Sequence, residues 1–116
     1  MPMKLTHKDF DDLRLITVEE DRIDAASAIK FKDGIRNLTQ DAPDRVLLDL
    51  AQVGFLDSSG LGAVVACMKA LGNGMTLELA ALQPPVERVF HLTRMNTVFK
   101  IHTRVSDATT DTEHAS

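Results

Sequence analysis

Residues 45–71, RVLLDLAQVGFLDSSGLGAVVACMKAL, decide the fold. The run Val46-Leu47-Leu48-Asp49-Leu50 is short and almost wholly apolar, the pattern of a strand buried on both faces. After a short loop, Asp57-Ser58-Ser59-Gly60-Leu61-Gly62 opens a segment in which Leu61, Val64, Val65, Met68 and Leu71 recur at helical spacing. Gly72-Asn73-Gly74 closes it with residue types that accept a left-handed backbone. Two serines therefore sit where a strand hands over to a helix N-terminus. Free backbone N–H groups and the positive end of the helix dipole gather at such a point. It can hold an anion, or tolerate a hydroxyl that becomes one.

The flanking sequence extends the same alternation. Met3–Lys8 reads as a weak edge strand, Phe10-Asp11-Asp12 as a turn, and Leu13–Val18 as a second strand with Leu13, Leu15 and Thr17 on one face. Asp24-Ala25-Ala26-Ser27 is a helix start with Asp24 as its N-cap, followed by Ala28, Phe31, Lys32, Ile35 and Leu38 at helical spacing. Ala42-Pro43-Asp44 breaks the chain before the buried strand. Beyond it, Met75–Leu79 alternates as a strand, Pro84-Pro85 leads a third helix through Val86, Val89, Phe90 and Thr93, and Val98–Ile101 is a last strand. Strand–helix–strand–helix–strand at this spacing predicts a small, mostly parallel α/β sheet with its helices on one face. The expected division is one domain over residues 1–105 and a polar, frayed tail over 106–116, which holds no large apolar residue.

Composition narrows the function. A chain of 116 residues with 44% apolar content is one globular domain that can bury a core without staples. Its formal charge of −4 argues against nucleic acid, since phosphate binding wants a basic face. No apolar run approaches a membrane span, and no secretion signal follows Met1-Pro2-Met3-Lys4, so the expected location is the cytoplasm without membrane insertion. Charge is uneven: Asp9–Asp24 is rich in acids, whereas Pro84–Val105 carries Arg88, Arg94, Lys100 and Arg104 against Glu87. Solvated faces account for most such asymmetry, and steering of a basic partner by the acidic part is the second reading.

Three chemistries compete for Ser58: a helix cap, a catalytic nucleophile and a phosphorylation site. A nucleophile needs a base, and the hydrolase pattern G-x-S-x-G is absent because Leu56 stands two residues before Ser58. His7, His91, His102 and His114 are scattered, share no motif with an acid, and read as solvated. No Cys, His or acid spacing suggests a metal, and Ser-Gly-Leu-Gly lacks the lysine of a phosphate-binding loop. Phosphate at Ser58 would suit the helix terminus and place new negative charge beside Asp57. Asp57 itself caps the helix or orients Ser58, and Ser59 is the alternative acceptor. Gly60 and Gly62 let backbone come close to a partner or a neighbouring strand. Leu61 and Met68 read as core. Ala63, Cys67 and Ala70 fall on the opposite side of the helix, a small-residue face next to the serines and a candidate docking surface. Cys67, the single cysteine, reads as a small apolar residue rather than a redox switch.

The order strand, F-L-D-S-S-G-L-G, helix resembles the STAS domain of bacterial anti-sigma factor antagonists, over about Met3–Val105. The resemblance implies a STAS-like small mixed sheet with helices on one face. It also implies a non-enzymatic partner switch without a cofactor of its own. The unphosphorylated form would bind an anti-sigma factor that is also a serine kinase of the GHKL type. That kinase would phosphorylate the serine after the aspartate, here Ser58, and release the antagonist. A PP2C-type phosphatase would restore it, the ATP and metal belonging to these partners. The docking patch so implied takes in Asp57, Ser59, Gly60, Leu61, Gly62, Ala63 and Cys67. The alternatives are a STAS subunit that docks on a transporter or secretion regulator, and a nucleotide-binding module. The family often ends its second strand with glycine, where this chain has Glu20-Asp21-Arg22-Ile23-Asp24, and it usually adds a C-terminal helix.

Overall fold

The computed structural model describes residues 3–114. Five strands form one mixed sheet: β1 (Leu5–Phe10), β2 (Leu13–Val18), β4 (Arg45–Asp49), β6 (Thr76–Ala80) and β7 (Lys100–His102), side by side in that order. β1 and β2 are an antiparallel hairpin, and every other pair in the sheet is parallel. Parallel neighbours need crossovers, supplied by α1 (Ala28–Thr39), α2 (Ser58–Ala70) and α3 (Pro84–Leu92). Two short strands outside the main sheet, β3 (Arg22–Ile23) and β5 (Phe55–Leu56), pair in parallel beside the start of α2.

The two faces of the main sheet are both covered. On one, Ile16, Val18, Val46, Leu48, Leu77 and Leu79 meet Phe31 and Ile35 of α1, Val64 of α2, and Val86 and Phe90 of α3. On the other, Leu13, Leu47 and Ala80 lie under Ala108. The central strand is thus buried on both sides as its sequence predicts, with Val46, Leu47 and Leu48 all at 0% exposure.

Four expectations are corrected. The tail from residue 106 is not frayed through 114: α4 (Val105–His114) is a helix, and it covers the second face of the sheet through the buried Ala108. Asp24 does not cap α1, which starts at Ala28; its Oδ1 accepts from the Ala26 and Ser27 amides in the preceding turn. The last strand begins at Lys100, and Phe99 turns into the core against Phe90 instead. His102 is buried, not solvated.

Candidate functional site

The loop that carries the serines is fastened at both ends. The Asp21 carbonyl accepts from the Gly54 and Phe55 amides at 2.8 and 3.2 Å, and β3–β5 pairing then leads the chain to Asp57. From the other side Gln83 Nε2 donates to the Ala51 carbonyl at 2.8 Å. Asp57 has an extended backbone and is the N-cap of α2. Its Oδ1 accepts from the Gly60 amide at 2.8 Å, and its carbonyl accepts from the Leu61 amide at 2.9 Å. Asp57 is therefore the cap, which releases Ser58 from that task.

Ser58 is the first residue of α2 and is exposed, as is Ser59. The Ser58 hydroxyl has no hydrogen-bond partner among the described residues. The first amides of a helix have no intrahelical partner, and with Gly60 N taken by Asp57 those of Ser58 and Ser59 remain. Beside this turn, Phe55 is 45% exposed, with the Arg22 guanidinium 4.7 Å from its ring centre and ion-paired to Asp24 at 2.8 Å.

The two glycines differ sharply. A Cβ on Gly60 would lie 2.1 Å from the Ile23 carbonyl oxygen, so β3 can approach α2 only because that residue is glycine. A Cβ on Gly62 would meet nothing within 4 Å, and the residue is exposed in the second turn of the helix. The fold gives no reason for glycine there.

The expected docking face of α2 is redrawn. Ala63 and Cys67 are turned inward at 3% and 5% exposure, so they do not form an outward surface. Leu61 and Met68 are half-buried against the core, as read. What α2 shows to solvent near its start is Ser58, Ser59 and Gly62, with Ala66 half-buried and Ala70 exposed further along. Burial pushes the Cys67 thiol up to about 11, which leaves it protonated and inert at neutral pH.

A second polar cluster escaped the sequence because its members are far apart in the chain. On the α4 side of the sheet, Arg45 holds Glu78 with two hydrogen bonds at 2.8 and 2.9 Å, and His102 Nε2 lies 2.7 Å from Glu78 Oε1. Burial opposes the Glu78 charge, but the hydrogen bonds from Arg45 and His102 outweigh it and lower its carboxyl to about 2. Arg14 is likewise buried, with Asp9 bidentate on its guanidinium and Asp41 at 2.8 Å. These clusters pin strands and helix ends. Among the described residues no group of three His, Cys, Asp or Glu could hold a metal, and no helix is long and apolar enough to cross a membrane.

The fold is thus a mixed sheet with three helices on one face and a fourth on the other, and an exposed, unengaged serine begins the second helix. The STAS domain family model matches residues 5–108, and the chain belongs to that family. It is 27% identical to the anti-sigma-F factor antagonist RsfB of Mycobacterium tuberculosis over 88 residues, which is 76% of this chain and 72% of that one. The crystal structure of an anti-sigma factor antagonist from Mycobacterium paratuberculosis superimposes with a TM-score of 0.84 at 27% identity, covering 96% of this chain and 94% of that one. The Bacillus cell fate determinant SpoIIAA in its phosphorylated form shares the fold, with a TM-score of 0.65 at 18% identity over 90% of this chain and 96% of that one.

Proposed function

We propose that this chain is an anti-sigma factor antagonist switched by phosphorylation of Ser58. In the unphosphorylated state it binds an anti-sigma factor that is also a GHKL-type serine kinase, in the cytoplasm. The Ser58 oxygen takes the γ-phosphoryl group of ATP held by that kinase, the hydroxyl proton leaves to a kinase base, and ADP departs. The phosphorylated antagonist is released, and a PP2C-type phosphatase hydrolyses the phosphoserine.

The observation that carries this reading is that Asp57, not Ser58, caps α2. A serine used as a cap would lose a structural bond on modification. Here the hydroxyl is exposed and unengaged, and the helix N-terminus favours the incoming negative charge. The fold therefore tolerates the phosphate while the surface changes. To take a partner from mostly bound to mostly free, the modification must weaken binding by about 10⁴-fold, or about 5.5 kcal/mol. Like charges desolvated at the centre of an interface can supply several kcal/mol, whereas at a rim water and salt screen them. Ser58 accordingly lies at the centre of the contact, with Asp57, Ser59 and Gly62 around it.

Incubation with the cognate kinase and ATP, followed by peptide mass mapping, tests the assignment. Phosphate is expected on Ser58 alone. Phosphate on Ser59, or on Thr109 or Thr110 of α4, would refute it.

A further inference from the structure

Outside the serine turn, the surface between α1 and α2 is a groove of about 210 Å³. Its floor is apolar and low: Ile35, Ala66, Cys67 and Ala70. Its wall is basic, made by Lys32 and Arg36 one helical turn apart on α1. Neither side chain makes an ion pair or hydrogen bond among the described residues. In a chain with a formal charge of −4, two unengaged cations over an apolar trough are a local reversal of sign.

Two further observations tie the groove to the switch. Ser59, Gly62, Ala66 and Ala70 fall three and four residues apart on α2, so the trough runs in line with the serine turn. Gly62, which no internal contact requires, keeps that line free of side chains between the groove and the turn. At the matching end of α1, Ile29 is 69% exposed, three residues before Lys32.

We infer that this groove receives an acidic helix of the anti-sigma factor, two carboxylates one turn apart pairing with Lys32 and Arg36. The inference rests on the proposed function and gives its partner a chemistry. Small residues let the partner backbone come close, the i and i+4 cations match i and i+4 carboxylates, and Ile29 offers an apolar end contact. It also explains the sign of the switch. An acidic partner surface drawn along α2 meets the new dianion on Ser58 as repulsion.

The test uses the full chain and the kinase that phosphorylates it. The double variant Lys32→Glu/Arg36→Glu should keep cooperative unfolding and lose tenfold or more in kinase affinity. Lys30→Glu, on the other side of α1, should stay within about twofold of wild type. Lysines in place of the kinase helix carboxylates should restore binding to the double variant. If the double variant binds as wild type while Ser58 phosphorylation still releases the kinase, the groove is wrong and the switch stands.

A second probe does not depend on the kinase. An alanine-rich helical peptide with two glutamates four residues apart, titrated into ¹⁵N-labelled protein, should shift the amides of Ile35, Ala66 and Ala70. The lysine version of the peptide should not. Equal shifts with both peptides, or none in the groove, would overturn the inference. So would self-association of the chain that the double variant abolishes, since a second copy would then be the occupant.

Discussion

The two faces of the sheet are held together by different physics. Toward α1, α2 and α3 the contact is chiefly apolar, Ile16, Val46, Leu48 and Leu79 against Phe31, Val64 and Phe90, all at 0% exposure, with the buried Arg14 bonded to the Leu38 carbonyl and Asp41 at the end of α1. Toward α4 it is a small apolar patch bordered by the Arg45–Glu78–His102 cluster, in which Glu78 and His102 are buried and Arg45 is half-buried. The first face carries the serine turn and the groove, so charge can be added at its surface without entering the layer below. The second face holds paired charges beside its apolar patch, and these respond to pH and to loss of a partner.

The largest effect should come from crowding the first face. Gly60→Ala forces a Cβ onto the Ile23 carbonyl and should cost about 3 kcal/mol, read as a lower midpoint in chemical unfolding. A variant as stable as wild type would show that β3 is not fixed against α2.

Acid should then act through the second face. Glu78 sits near 2 in the folded chain, below its ordinary 4.5, so its contribution is complete above about pH 5 and disappears as pH falls toward 2. The expected loss over that window is about 2 kcal/mol. Hydrogen bonds from Arg14 also hold Asp9 and Asp41 low, so part of any acid loss is theirs. Comparison with Glu78→Gln isolates the cluster. That variant should be less stable at pH 7 and lose less on acidification, and parallel curves would contradict the assignment.

Gly62→Ala separates folding from docking. A methyl in open space on a helix should stabilise by about 1 kcal/mol, a few degrees in Tm, while weakening the kinase. Improvement in both would mean that no partner approaches there. The smallest stability effect should be that of Ser58→Asp. The helix terminus favours the added charge and Asp57 opposes it, leaving a net change within about 1 kcal/mol. Loss of cooperative unfolding would make this serine structural.

This contrast also marks what could be read from sequence. β2 and the start of α2 fall where their patterns place them, because a strong alternation or an Asp-Ser-Ser cap is local information. α2 is apolar almost all round, so spacing alone could not say that Ala63 and Cys67 face inward. α4 escapes the sequence because what it buries is small, chiefly Ala108, and no large apolar stripe announces it. Arg45, Glu78 and His102 lie 33 and 24 residues apart, and only strand order brings them together. The two-residue strands β3 and β5 carry no periodic signal, yet they position the turn.

Ser58 is the centre of the proposed switch, and its most direct test is the affinity of the anti-sigma kinase for three forms of the chain: unmodified, Ser58→Ala and stoichiometrically phosphorylated on Ser58. The first two should bind alike, and the third about 10⁴-fold more weakly at physiological salt. Equal affinity for the phosphorylated and unmodified chains would contradict the switch, even with Ser58 confirmed as the modified residue.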